Sequence, residues 1–130
     1  MTLPKNNHEM RPDPVLRVVP QPADINNNGH IFGGWILSQM DIAAGITAGR
    51  RAQGPVATVA IDSMTFIKPV LLGDIISIYT SIERIGRTSI TINVEVVADR
   101  RGKETVAVTN GIFTFVALDS DHRPRPLETA

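Results

Sequence analysis

The stretch that decides the fold covers residues 23–51 and is ADINNNGHIFGGWILSQMDIAAGITAGRR. An asparagine-rich turn leads into the pair Gly33-Gly34 and then into an apolar segment that begins at Trp35. Apolar residues recur in this segment at steps of three and four, which predicts a helix that ends near Arg51. Few positions of the helix are polar, so we expect it to be buried on most of its sides.

Asp41 is the one carboxylate in this predicted helix. Burial removes hydration from a carboxylate, and hydrogen bonds or a positive potential must replace that hydration. The positions three or four residues away include Ser38, Ala44 and Gly45, whose small side chains leave open space beside the carboxylate. Asp41 is therefore a candidate catalytic residue, and the alternative is a buried carboxylate with a purely structural role.

The pair Gly33-Gly34 stands about two helical turns before Asp41. Backbone N–H groups in the first turn of a helix have no partner within the helix, and the helix dipole is positive there. Such groups can hold a developing oxyanion, and glycine lets a substrate approach the backbone closely. The glycines and Asp41 together predict a hydrolytic site.

Extended patterns on both sides of the helix predict an α+β fold. A short strand is expected over residues 15–19, and four long strands are expected over 56–67, 75–85, 88–98 and 103–118. Gly49 or Gly54 is expected to cap the helix. Connections of hairpin length predict that the long strands are mostly antiparallel neighbours, in one sheet wrapped around the central helix. Apolar sheet edges predict dimerisation. Residues 1–14 and 120–130 are expected to be flexible tails around one domain at 15–119.

Composition excludes several classes of function. Thirteen basic and thirteen acidic residues give a formal net charge of zero, which argues against binding to nucleic acid or an anionic membrane. The absence of cysteine excludes thiolate catalysis and fits a reducing compartment. No apolar run is long enough to span a bilayer, and the N-terminus lacks the apolar segment of a signal peptide. We expect a cytoplasmic protein. The three histidines are scattered, so no metal site is expected.

Three segments resemble one known family: ADINNNGHIFGGWILSQMDIAAG, VATVAIDSMTFIKPVLLGDIISIY and GRTSITINVEV. They are similar to the hotdog-fold acyl-CoA thioesterases of the YciA type, which are related to the brain-type acyl-CoA hydrolases of animals. The resemblance covers about Val15 to Asp119. It implies a hotdog fold and hydrolysis of acyl-CoA to a free carboxylic acid and CoA, with no cofactor. It also implies a homodimer whose site is shared between protomers, and commonly a homohexamer built as a trimer of dimers.

The resemblance also implies roles for particular residues. Asp41 matches the family's catalytic acid–base residue, which acts as a general base or as a nucleophile. Asn26 is expected to hold the attacking water or the thioester, and the backbone of Gly33 and Gly34 is expected to polarise the carbonyl group. The family commonly has an acid where this chain has His30. Contacts with CoA are expected from Arg87, Thr88 and Ser89, and contacts with its pantetheine arm from strand residues 58–62, among them Thr58, Val59 and Ala60.

Two other classes of function stay open from the sequence. A hotdog hydratase or dehydratase needs a histidine paired with an acid, and His30 is the only histidine near the predicted site. A non-catalytic acyl-CoA sensor would normally be joined to a regulatory domain. One of the pairs Arg50-Arg51 and Arg100-Arg101 could also meet the 3′-phosphate of CoA. Of these classes, we expect the hydrolase.

Overall fold

The computed structural model describes residues 13–128, so the predictions for residues 1–12 and 129–130 lie outside the described range. One long helix and five strands follow one another as expected, with a short 3₁₀ helix before the long helix. The elements are β1 (Leu16–Val18), the 3₁₀ helix (Pro22–Asp24), α1 (Gly33–Ala52), β2 (Val56–Phe66), β3 (Ile75–Ile85), β4 (Ser89–Asp99) and β5 (Thr105–Ala117).

The five strands form one antiparallel sheet in the order β1-β3-β4-β5-β2. The prediction that consecutive long strands are neighbours is wrong for β2 and β3, because the connection over residues 67–74 crosses from one side of the sheet to the other. β2 instead pairs with β5. β2 is therefore an edge strand, and no other strand within residues 13–128 pairs with the free side of its backbone.

Helix α1 packs on one face of this sheet. Its buried positions are mostly small, which lets the helix lie close to the strands: Ile36, Met40, Ala43, Ala44, Ala48 and Ala52. The sheet side of the core is built from β-branched and aromatic residues, among them Ile76, Ile78, Ile90, Ile92, Val94, Val96, Phe113 and Phe115. The opposite side of α1 is uncovered, and Ile42 there is 49% exposed. A single chain therefore buries one face of the helix, not most of its sides as we expected.

The C-terminal end of α1 is capped by a residue that was not predicted. Gln53 adopts the left-handed conformation (φ 54°, ψ 44°), and its N–H donates to the carbonyl oxygen of Gly49. Neither Gly49 nor Gly54 takes this conformation, so the prediction of a glycine cap is wrong. The guanidinium of Arg125 donates to the carbonyl oxygen of Ala52 at 2.5 Å, which satisfies another group at the helix end.

Replacing Gln53 with glycine is expected to raise the free energy of unfolding by about 1 kcal/mol, because a side chain is strained in the left-handed region and glycine is not. Gln53 is exposed, so little packing is lost with its side chain. Urea denaturation measures the change. Gln53→Ala is the control, because it removes the same side chain and keeps the strain. A Gly variant no more stable than the Ala variant would contradict this explanation of the cap.

Residues 119–128 fold back along the domain, and we call this segment the C-terminal return. Leu118 and Pro124 form an isolated antiparallel bridge, and the N–H of Arg125 donates to the carbonyl oxygen of Ala117 at 2.9 Å. Most residues of the return are exposed, but the Leu127 side chain packs against the core. Where we expected a flexible tail, the described residues therefore hold specific contacts, because backbone and arginine donors reach carbonyl oxygens that β5 and α1 leave free.

Candidate active site

Asp41 is half-buried on the side of α1 that faces the start of β2. The hydroxyl of Thr58 donates a hydrogen bond to Oδ1 of Asp41 at 2.6 Å, and this contact is open to solvent. The pairing of β2 with β5 shifts register between Thr58 and Ala60, as at a β-bulge. Bulges re-aim side chains next to active sites. Asp41 is thus a carboxylate with a fixed orientation and access to water, which favours a chemical role over a purely structural one.

A pocket of about 340 Å³ lies at the start of α1. Its lining combines an apolar wall with a few polar groups: Asn26, His30, Ile31, Gly33, Ile36, Phe66, Ile67, Lys68, Pro69 and Val70. A mostly apolar cavity with a small number of polar groups is typical of a site for a small organic ligand. Of the predicted residues, the structure brings Asn26, His30 and Gly33 together here.

The side chain of Asn26 organises the turn before α1. Its Oδ1 accepts hydrogen bonds from the N–H groups of Asn28 at 2.9 Å and His30 at 3.1 Å. The Asn26 N–H also donates to the carbonyl oxygen of His30 at 2.6 Å. The side-chain oxygen is therefore occupied by the turn, and the two Nδ2 protons remain as donors for an oxygen atom in the pocket.

The N-terminus of α1 has free donors beside this pocket. Phe32 precedes the helix and supplies no side-chain cap. Within residues 13–128 we find no hydrogen-bond partner for the N–H groups of Gly33 and Gly34. A Cβ atom at Gly33 would lie 3.4 Å from the Phe66 ring, so a small residue keeps this wall of the pocket open. Gly34 faces the Phe32 ring instead, and only Gly33 of the predicted pair lines the pocket.

The pocket and Asp41 are separated within one chain. Asp41 follows Gly33 by eight residues along α1, which corresponds to about 12 Å at 1.5 Å per residue. A catalytic group and an oxyanion donor must each come within about 3 Å of the same reacting atoms. Within one chain, the Asp41 carboxylate and the free N–H groups at the start of α1 are therefore too far apart to reach the same reacting atoms.

The predicted CoA-contacting stretch lies on the Asp41 side of the molecule. Thr58 pairs with Phe115, and Phe115 pairs with Ile90, which follows Ser89 directly. The Arg87 side chain is exposed and makes no hydrogen bond or ion pair with the residues that the structure describes. Val59 and Ala60 are exposed on β2, and Thr88 and Ser89 are half-buried at the turn. This side therefore combines the Asp41 carboxylate with a guanidinium that has no partner between residues 13 and 128.

Comparison with known proteins assigns the family. The sequence profile described as the thioesterase superfamily matches residues 28–105. This chain belongs to the thioesterase superfamily. It is 45% identical over 117 residues to the acyl-CoA thioester hydrolase YciA of Salmonella typhimurium, a match that covers 87% of this chain and 88% of that protein.

Solved structures confirm the predicted hotdog fold of this thioesterase. The hexameric thioesterase y2039 from Yersinia pestis superposes with a TM-score of 0.87 and 46% identity, covering 91% of this chain and 97% of that one. A hexameric hotdog fold thioesterase of Campylobacter jejuni superposes with a TM-score of 0.85 and 40% identity, covering 90% and 91% of the two chains.

An ion pair that the sequence did not predict supports the pocket of this thioesterase. The buried carboxylate of Asp74 accepts hydrogen bonds from the Leu71 N–H at 2.9 Å and from Nε of Arg100 at 3.3 Å. Nη2 of Arg100 donates to the carbonyl oxygen of Pro69 at 2.6 Å. The pair thus fixes the connection that forms the far wall of the pocket. The charge of Arg100 is already paired, which makes it a poor partner for a CoA phosphate.

The sequence carries only weak signals for the ion pair between Asp74 and Arg100. Asp74 stands in a turn and Arg100 follows a strand end, positions where charged residues are usually solvated. Their separation of 26 residues hides the contact from any local pattern.

The described part of this thioesterase contains neither a metal-ligand cluster nor a membrane-spanning helix. Between residues 13 and 128, no three histidine, cysteine, aspartate or glutamate side chains cluster in a way that could hold a metal ion. No helix in the same range is both long enough and apolar enough to cross a bilayer.

Proposed function

We propose that this thioesterase hydrolyses acyl-CoA to a free carboxylic acid and CoA, with Asp41 as the catalytic residue. The observation that carries the proposal is the solvent-accessible carboxylate held by the Thr58 hydroxyl at 2.6 Å. The similarity to YciA, whose name describes an acyl-CoA thioester hydrolase, supports the substrate class. No cofactor is needed, and we place the reaction in the cytoplasm.

Two subunits complete one site in this proposal. β2 is an edge strand with exposed apolar residues along it: Val59, Ile61 and Phe66. When two such edges pair antiparallel about a two-fold axis, the start of one β2 lies beside the end of the other. Thr58 and Asp41 at the start of β2 then face the pocket that contains Gly33 and Phe66 of the partner subunit. A site shared between two subunits would account for the distance that separates Asp41 from the pocket within one chain.

A trimer of such dimers is the proposed assembly. The relatives from Yersinia pestis and Campylobacter jejuni are both described as hexameric, and they match at least nine-tenths of this chain. The uncovered side of α1, where Ile42 is 49% exposed, supports burial against another subunit.

The proposed chemistry uses groups from both halves. The thioester oxygen accepts hydrogen bonds from the N–H of Gly33 and the Nδ2 of Asn26, so negative charge that develops on it is stabilised. Thr58 occupies Oδ1 of Asp41, which leaves Oδ2 to act. Oδ2 either takes a proton from water as the water attacks the carbonyl carbon, or attacks that carbon to give a mixed anhydride that water then cleaves. In both routes the C–S bond breaks and the CoA thiolate is protonated.

We place CoA along the turn between β3 and β4. The exposed guanidinium of Arg87 can bind a phosphate group in bidentate geometry. Thr88 and Ser89 lead from this turn into β4, and Thr58, Val59 and Ala60 lie two strands away on β2, the proposed dimer edge. The pantetheine arm would follow these β2 residues to Asp41.

A thiol-release assay with acyl-CoA substrates of short, medium and long chains tests the proposed function. We expect many turnovers per subunit, with equal amounts of free acid and CoA thiol. Binding of acyl-CoA without turnover would instead indicate the sensor class. Hydration or dehydration of the acyl chain with the thioester intact would indicate the hydratase class, although the residues that line the pocket include His30 and no carboxylate.

Replacing Thr58 with valine is expected to lower kcat by about ten- to a hundredfold, because a hydrogen bond to a charged group contributes roughly 1.5–3 kcal/mol. Valine has the same shape but cannot donate to Asp41. Steady-state thiol release measures the change, and Thr58→Ser, which restores the hydroxyl, is the control. Equal kcat values for the valine and serine variants would show that the hydrogen bond does not support catalysis.

A further inference from the structure

The C-terminal return is anchored at the end of α1 and β5 by one arginine. Arg125 donates from Nη2 to the carbonyl oxygen of Ala52 at 2.5 Å and from Nε to that of Leu118 at 3.0 Å. A Cβ atom at Gly54 would lie 3.0 Å from Nη2 of Arg125, so the guanidinium packs closely against this glycine. Arg51 adds a second link, because its Nη2 donates to the carbonyl oxygen of Glu128 at 3.0 Å.

The anchored return reaches the turn between β3 and β4. The N–H of Leu127 donates to the carbonyl oxygen of Arg87 at 2.9 Å. Thr88, the next residue, accepts from the N–H of Ala117 at 2.9 Å, and Gly86 donates to the carbonyl oxygen of Ser89 at 2.8 Å. The backbone of Arg87 is therefore held from outside the hairpin by the return, while its guanidinium stays exposed.

We propose that the C-terminal return positions Arg87 for a phosphate group of CoA. Fixing the peptide of Arg87 limits the directions in which its side chain can extend, which lowers the entropy lost when the guanidinium binds an anion. Leu127 is the positioning residue, and it acts through its N–H. The return then favours thioesters that carry the CoA nucleotide over thioesters that lack it. This inference rests on the proposed hydrolysis of acyl-CoA.

The test compares two variants of the full chain at one position. Leu127→Pro removes the N–H that bonds Arg87, whereas Leu127→Ala keeps this N–H and shortens the side chain. Each protein is assayed with an acyl-CoA and with the same acyl group on N-acetylcysteamine, a thiol that lacks phosphate. A chain ending at Pro126 replaces Leu127→Pro if the proline variant fails to fold.

We expect Leu127→Pro to raise KM for acyl-CoA about fivefold, as the loss of one hydrogen bond predicts, with kcat within about twofold of the wild-type value. Its KM for the N-acetylcysteamine thioester should not rise, and Leu127→Ala should retain a KM for acyl-CoA near that of the wild type. Arg87→Ala should raise KM for acyl-CoA at least as much, and adding Leu127→Pro to Arg87→Ala should cause no further increase.

Three results would overturn the inference. KM could rise equally for both thioesters in Leu127→Pro, which is the sign of a general structural role. KM for acyl-CoA could stay unchanged in Leu127→Pro, or it could stay unchanged in Arg87→Ala. Failure of the proposed hydrolysis can be distinguished from these three results, because the wild-type protein would then release thiol from neither thioester.

Discussion

Asp41→Asn is expected to lower kcat for acyl-CoA hydrolysis by about a thousandfold, within the range that general acid–base catalysis contributes. Asparagine matches the shape of aspartate and can still accept the hydrogen bond from Thr58. It cannot take a proton from water, and it is a poor nucleophile toward a thioester. Thiol release at saturating substrate measures the effect.

A folding control separates this loss from structural damage. The melting temperature and the oligomeric state of Asp41→Asn should match those of the wild type, since the side-chain volume hardly changes. Acyl-CoA should still bind, because the Gly33 pocket and Arg87 are untouched. An Asp41→Asn protein that releases thiol at the wild-type rate would assign a structural role to Asp41.

Ile61→Lys is expected to dissociate the assembly and lower activity by about a hundredfold, because a charge on an edge strand blocks pairing with another edge. Ile61 is 39% exposed near the middle of β2. The two-fold axis would bring both introduced lysines close together, which adds repulsion. Each separated subunit would hold Asp41 and the pocket about 12 Å apart along α1 and so could not assemble a site.

Light scattering measures the mass of Ile61→Lys, and the same sample is assayed for thiol release. Val19→Lys is the matched control, since Val19 is 42% exposed next to β1 at the opposite edge of the sheet. The control should keep its mass and activity. A smaller Ile61→Lys species that keeps full activity would show that a single subunit contains a complete site.

Local patterns predicted the helix and the strands because they depend on periodicity within one segment. The order of the strands in the sheet could not be predicted in full, because it depends on contacts between distant segments. The connection after β2 is short enough for a hairpin, yet β2 pairs with β5 about fifty residues later along the chain. The cap at Gln53 was also not predicted, because glycine is the favoured residue at a helix C-terminal cap and Gly49 and Gly54 stand nearby.

The sequence predicted candidate residues for the site, but it did not predict how the fold arranges them. Residue type and resemblance selected Asp41 and Gly33 as candidates, and resemblance alone selected Asn26. The hydrogen bond from Thr58 joins residues 17 positions apart, next to a register shift in β2 that no residue type marks. The distance between Gly33 and Asp41, in contrast, follows from helical rise alone, and it already indicates that one chain cannot bring both groups to the same carbonyl.

Mixing two inactive variants tests the shared site most directly. Asp41→Asn removes the carboxylate, and Gly33→Val fills the pocket wall beside Phe66 and blocks the donor at the helix start. The two proteins are denatured together, refolded as a mixture and assayed for thiol release. Random pairing about a two-fold axis gives one intact site in half of the dimers, so we predict recovery of about a quarter of the wild-type activity. No recovery from a mixture whose mixed dimers are demonstrated by two affinity tags would contradict a site shared between subunits.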